Sequence, residues 1–135
     1  MRKVTPTLLK KKLWEIMKQT VREKYGNTCY TCNKTGLSGS NWHTGHMWAK
    51  STLSAHLAYD IRVLRPQCFF CNIHAGGQGA MFYVRMLKEI GKSAMEKLVK
   101  EKQILVKADS IFYQKKLDEA VAQLKQVILQ QRKKG

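Results

Sequence analysis

Apolar residues recur at helical spacing near both ends of this chain and lose that spacing in the middle. Leu9, Leu13, Ile16 and Val21 follow a rhythm of three to four residues, which predicts an amphipathic helix over residues 5–25. Thr5-Pro6 is the expected start, a capping hydroxyl with proline at the first helical position, and Tyr25-Gly26 the expected end. Residues 27–77 carry no long helical pattern. Thr35-Gly36-Leu37-Ser38-Gly39-Ser40 reads as turn and loop, and short strands are predicted around residues 42–48 and 60–64. Pro66 marks the end of the second strand, a short helix is expected to begin near Cys68, and Gly76-Gly77-Gln78-Gly79 breaks the chain.

Past that break, apolar residues at 83, 84, 87 and 90 predict a helix over 81–90 ended by Gly91, followed by a second over 93–102. Asp109 or Ser110 caps a last helix, in which Tyr113, Leu117, Val121, Leu124 and Ile128 form the apolar stripe. A stripe of that length is expected to pack within its own domain, with a dimer seam as the alternative. The resulting fold class is α+β and mostly helical, in one domain over residues 1–135. A helix at 5–25 precedes a core at 27–77, and a helical extension covers 79–134. Trp42, Trp48, Phe69, Phe70 and Phe82 are expected to fill the core rather than stack on bases.

Charge narrows the class of partner. Lys and Arg number 25 against 9 Asp and Glu, a formal net charge of +16, with an isoelectric point near 10.0. Such an excess repels itself unless it meets a polyanion, and nucleic acid is the usual one. No run approaches the ~20 apolar residues of a membrane span, and the basic N-terminus (Arg2, Lys3) lacks the apolar stretch of a signal peptide. A cytoplasmic, DNA-binding protein without a membrane partner is therefore expected. The basic side of the first helix (Lys10, Lys11, Lys12, Lys18, Arg22, Lys24) is either a solvated face or a DNA contact.

The 4 cysteines form two brackets, Cys29-x-x-Cys32 and Cys68-x-x-Cys71. Each bracket turns two thiolates toward one metal, and four thiolates close a tetrahedral zinc. Two disulfides are the alternative, disfavoured without a secretion signal. A closed zinc site is structural, so any chemistry must come from groups that it holds in place. A knuckle, a β-hairpin and a helix around one zinc make the treble-clef layout.

The hairpin carries Trp42-His43-Thr44-Gly45-His46, and the turn after the last cysteine carries Asn72-Ile73-His74. A histidine on a strand opposite an Asn or His just past a zinc cysteine matches the ββα-metal (HNH) nuclease layout. Phosphodiester hydrolysis needs a general base working near neutral pH, which suits imidazole. It also needs a divalent ion, and an Asn oxygen suits Mg²⁺ or Mn²⁺. His46 is the candidate base. Asn72 is a candidate ligand, with helix capping as its other use. His43 and His74 are open between site and structural roles, and His56 is unassigned.

Cys29-x-x-Cys32, Trp42, Gly45-His46, Gln67-Cys68-x-x-Cys71-Asn72-x-His74, Tyr83 and Leu87-x-x-Ile90-Gly91 resemble the phage lambda NinG (Rap) recombination proteins, from about residue 29 to 128. The Cys-Asn motif is also similar to phage endonuclease VII. The resemblance implies a phage or prophage endonuclease acting on branched DNA, including Holliday junctions and D-loops. It implies His46 as general base, Asn72 as ligand of the catalytic Mg²⁺ or Mn²⁺, and the four cysteines as zinc ligands. A homodimer would suit the two equivalent cleavage sites of a four-way junction.

The chain departs from that pattern at three positions. Gly45 stands where many such nucleases carry an acid or histidine. His43 stands where the family typically has aspartate, and Val63 where the central Asn is expected. Val63 cannot orient an imidazole, so Asp60, the nearest acid, is the candidate for that role or for metal ligation. Lys34, Lys50, Arg62, Arg65, Arg85 and Lys88 are the expected phosphate contacts. The competing readings are a non-catalytic zinc-finger nucleic-acid-binding protein and an HNH nuclease nicking ordinary duplex.

Overall fold

The computed structural model describes residues 4–134, so the basic residues at 2 and 3 lie outside the described part. Helix α1 spans Pro6–Tyr25 and begins as expected, with the Thr5 hydroxyl accepting from the Leu8 N–H at 3.2 Å. Gly26, at φ 76°, ends it. The inward face is Leu9, Leu13, Met17 and Val21, with Thr20 buried among them. The Thr20 hydroxyl is satisfied by the Ile16 carbonyl at 2.7 Å.

Helix α1 packs along the last helix, α4 (Ser110–Lys134), which is the most extensive pairing between elements of the fold. The buried side of α4 is Tyr113, Ala120, Leu124 and Val127. Val121 and Ile128, expected in the stripe, are only half-buried. The small Ala120 side chain, 5% exposed, is the one turned into the core.

Between these helices, β1 (His43–His46) pairs antiparallel with β2 (Leu64–Gln67) in a two-stranded sheet. A short helix, α2 (Ala55–Ala58), lies between the strands in sequence. The second strand falls later than the expected 60–64. The Asp60 carboxylate accepts from the Arg62 N–H at 2.9 Å, so residues Ile61–Val63 form a tight 3₁₀ turn instead. Pro66 lies inside β2, not at its end. It faces Thr44, and its carbonyl points away from β1 to accept from Tyr30 N–H at 2.8 Å. At such a non-hydrogen-bonded position the missing proline N–H costs nothing.

After β2 the chain makes one π-helical turn, Phe70–His74, closed by the Ala75 N–H donating to the Phe70 carbonyl at 2.8 Å. Helix α3 (Gly79–Glu101) follows, and Gly91 (φ 87°, ψ 167°) divides it at the place where a break was expected. The main core joins Leu9, Leu13 and Met17 to Val63, Leu64, Phe82, Met86, Met95, Leu98 and Tyr113. A second, smaller cluster contains Cys29, Leu37, Cys68 and Cys71, with Trp42 against it. No helix among the described residues is long and apolar enough to cross a membrane.

Two aromatic expectations fail. Phe82 is fully buried, but Phe69 and Phe70 are 43% and 62% exposed. The turn that carries them directs Cys68 and Cys71 inward, which leaves the two intervening side chains outside.

Candidate active site

The sulfur atoms of Cys29, Cys32, Cys68 and Cys71 all lie within 4.8 Å of one another, with those of Cys32 and Cys68 3.7 Å apart. Zinc with ~2.3 Å bonds to sulfur would separate its ligands by about 3.8 Å. The donor set and its spacing therefore fit one tetrahedral zinc. The first bracket is a tight knuckle, in which the Cys29 N–H donates to the Lys34 carbonyl at 2.8 Å and Asn33 adopts φ 67°. The second bracket opens the π turn.

Burial pushes the Cys71 thiol up to about 12 and also raises that of Cys32. At Cys29 burial acts the same way, but hydrogen bonds from the Cys68, Thr31 and Cys32 backbone and the Thr31 hydroxyl outweigh it and bring the thiol down to about 6. Without metal, Cys32 and Cys71 thus keep their protons at neutral pH, and zinc must displace them.

His46 stands on β1, half-buried, with its imidazole stacked on Trp14 of α1 at 5.3 Å and 14°. Its Nε2 lies 2.8 Å from the Ala58 carbonyl. A carbonyl can only accept, so Nε2 carries the proton and the neutral ring keeps its lone pair on Nδ1. Burial lowers the His46 pKa, and although the Ala58 hydrogen bond raises it, the nearby Lys50 ammonium lowers it further; the net shift is downward. The orienting acceptor is thus a backbone carbonyl and not Asp60.

Gly45 is explained by its neighbour. The Gln67 side chain fills the space beside it, and a Cβ at position 45 would overlap the Gln67 side-chain oxygen. Gln67 is fully buried and donates to Thr31 Oγ1 at 3.0 Å and the Gly77 carbonyl at 2.9 Å. That bond ties the hairpin to the loop following the π turn.

Asn72 and His46 line one cavity together with Met47, Ala49, Lys50 and the glycines at 76, 77 and 79. Asn72 also borders a groove formed by Trp14, Lys18, Arg22, Trp42, His43 and Thr44. The Asn72 amide donates to His43 Nδ1 at 2.9 Å, and His43 Nε2 donates to the Ser40 carbonyl at 2.8 Å. Both His43 nitrogens are therefore engaged, while the Asn72 side-chain oxygen stays available. The Thr44 hydroxyl, buried in the same groove, has no hydrogen-bond partner.

The other expected site residues are distributed differently. Asp60 binds the Arg62 guanidinium at 2.8 Å and lines a separate cavity with Met17, Tyr59 and Lys116, so it is not placed with Asn72. His74 lies outside both cavities, stacked on Phe70. Arg62 is shared between Asp60 and Glu101. Arg65 is 2% exposed, paired with Glu89 at 2.6 Å and lying over the Tyr25 ring, so it serves the core and not a phosphate. Arg85 holds the knuckle through the Tyr30 carbonyl at 2.7 Å and Asn33. Lys34, Lys50 and Lys88 are exposed, and Lys50 reaches over the Trp14 and Tyr59 rings.

Four roles escaped the sequence, that of Gln67 among them although the residue itself belongs to the cysteine motif. Trp14, the Ala58 carbonyl and Gln67 act through tertiary contact and have no local pattern. Glu101 accepts from Arg62 at 2.7 Å and 2.9 Å and pairs with His56 at 3.0 Å. It thereby ties α3 to both sides of the segment that presents Ala58. Lys18 and Arg22, weighed as either solvent-facing or DNA-facing, border the groove of His43 and Asn72.

Among curated proteins the chain is similar to protein ninG of Escherichia phage 933W and of Enterobacteria phage VT2-Sa, 27% identical over 70 residues in each case. That similarity covers 52% of this chain and 33% of each relative, so the chain spans about a third of the length of the relatives it matches. No solved structure matches. The model of the bacteriophage lambda NinG protein family matches residues 5–130. The chain belongs to the NinG family.

Proposed function

We propose that the protein is a structure-specific endonuclease of the ββα-metal (HNH) type, with a zinc-stapled treble clef, that hydrolyses phosphodiesters in branched recombination intermediates such as Holliday junctions and D-loops. The observation that carries this reading is the state of His46. Its proton is fixed on Nε2 by Ala58, its free nitrogen is Nδ1, and it shares a cavity with Asn72. A base held neutral near pH 7 and set beside an oxygen donor is the minimal equipment for activating water against phosphate.

In this mechanism a water molecule gives a proton to His46 Nδ1 as its oxygen attacks phosphorus. The bond from phosphorus to the 3′ oxygen breaks, the electron pair leaves with that oxygen, and solvent protonates it. Trp14 restricts rotation of the imidazole, and Lys50 disfavours the imidazolium before the water arrives. Lys18 and Arg22 in the adjoining groove supply phosphate contacts.

A Mg²⁺ or Mn²⁺ ion held by Asn72 would polarise the phosphate and stabilise the leaving oxygen. The donor set suits such an ion sparingly. Among the described residues no group of three or more His, Cys, Asp or Glu donors gathers here as the cysteines do. Mg²⁺ characteristically takes one or two protein oxygens plus waters and substrate phosphates. That same sparseness favours one second reading, a zinc-stapled DNA-binding module without cleavage.

The separating experiment is cleavage of a labelled four-way junction by wild type and by His46→Ala. The nuclease reading requires cutting by wild type, its loss in the variant, and junction binding by both. A variant that cuts like wild type would remove His46 as the base.

A further inference from the structure

We infer that Phe70, backed by His74 and flanked by Phe69 and Ile73, is a stacking platform for an unpaired base at the branch of the DNA. This inference rests on the proposed action on branched DNA and specifies how the branch would be recognised. Within five residues, Phe69, Phe70 and Ile73 are 43%, 62% and 54% exposed. They do not sit on a loose loop. Cys68 and Cys71 anchor the turn in the cysteine cluster. The Phe69 N–H donates to the Asn41 side-chain oxygen at 2.8 Å, and the Gly77 N–H to the Cys71 carbonyl at 2.8 Å. The rings are thus displayed in the open by a turn that is tied down on both sides.

Their arrangement is ordered as well. Phe70 lies nearly parallel to His74, at 5.9 Å and 24°, which covers part of the ring and leaves most of it in solvent. Phe69 meets His74 edge-on at 5.3 Å and His43 edge-on at 5.6 Å. His43 in turn holds Asn72. A strand whose phosphate sits at Asn72 therefore has its neighbouring bases beside this patch, since one nucleotide advances only ~3.4 Å along a strand.

The occupant follows from charge and geometry. The chain carries a net +16, and the groove at His43 and Asn72, which meets the patch through the edge-on Phe69–His43 contact, is lined by Lys18 and Arg22, so a polyanion is drawn there. Bases within a duplex hide their faces against each other. A base at a strand exchange point can offer one, and aromatic stacking on it is tolerant of sequence. Such a platform selects branch over duplex without reading a base edge.

The test uses the zinc-loaded 135-residue chain and an immobile four-way junction carrying 2-aminopurine at the branch, without added divalent ion. Wild type should change the 2-aminopurine fluorescence on binding and prefer the junction to a matched linear duplex. Phe70→Ala should lose that spectral change and weaken junction binding about five- to hundred-fold, with duplex binding, zinc content and sedimentation unchanged. Phe70→Trp should restore both signals. Junction binding and fluorescence unchanged in Phe70→Ala would overturn the inference while leaving the nuclease reading intact. Loss of self-association in Phe70→Ala, with DNA binding unchanged, would assign the patch to a second copy and overturn it too. Wild type that shows no preference for the junction would take down the branched-DNA reading and this inference together.

Discussion

His46 donates its Nε2 proton to the carbonyl of Ala58 at 2.8 Å, twelve positions further along the chain. The bond fixes which imidazole nitrogen is free to accept a proton, and it does so with backbone where Val63 replaces the expected side chain. Burial then lowers the His46 pKa, and Lys50 lowers it further. The base form is therefore retained below the ~6.5 of a free histidine.

Replacing Lys50 tests that electrostatic setting. Lys50→Gln should raise the His46 pKa, and with it the acidic limb of any cleavage profile should move to higher pH. The His46 ring-proton titration by NMR, without divalent ion, reads the shift directly. The sign for stability follows from the same depression. The unfolded chain binds the proton first, so this contribution is present above about 6.5 and is lost as pH falls from there through the folded value.

Glu101 positions the segment bearing Ala58. Hydrogen bonds from Arg62 and then His56 hold its carboxyl down at about 2. Its stabilising effect is accordingly present above the ordinary value of 4.5 and is lost as pH falls toward 2. Glu101→Gln weakens charge-assisted bonds to His56 within α2 and to Arg62 beyond it, and should cost about 1.5–3 kcal/mol in urea unfolding. It should also broaden or shift the His46 resonance, which a change confined to global stability would not do.

Gly45 and Gln67 should show strong coupling. Gly45→Ala places a methyl group against the Gln67 side-chain oxygen and should destabilise by roughly 1–3 kcal/mol through overpacking. Gln67→Ala alone strips the partner from Thr31 and the Gly77 carbonyl. The double variant should lose less than the sum of the two, as measured by denaturant melts in a double-mutant cycle.

Removing zinc should unfold the middle of the chain first. Trp42 packs against the cysteine cluster, so titration with a thiol-reactive mercurial should release one zinc per chain and abolish the near-ultraviolet signal of that tryptophan. The α1–α4 pair has its own apolar seam of Leu9, Leu13, Tyr113 and Leu124, so much of the helical signal should survive. Full retention of near-ultraviolet structure after metal loss would contradict a structural zinc.

What was legible in the chain was what obeys a local rule. The CxxC brackets, the Thr5-Pro6 helix start and the break at Gly91 need no knowledge of distant partners. The misplaced features depend on such partners. Arg65 reads as a surface cation until Glu89 meets it inside the fold. Residues 60–63 have strand-like composition, but the Asp60 side chain closes a turn on Arg62. The α4 stripe turns toward Ala120 and Val127 because α1 fixes which side is inward. The acceptor for His46 is a main-chain oxygen, and no residue type announces it.

The most direct measurement of the central claim is cleavage of a labelled four-way junction and a matched linear duplex by zinc-loaded protein with Mg²⁺, Mn²⁺ or EDTA. The account predicts divalent-dependent cuts near the branch, little cutting of the duplex, and none in EDTA. Tight junction binding with no cuts under any metal would contradict it and leave a binding module in its place.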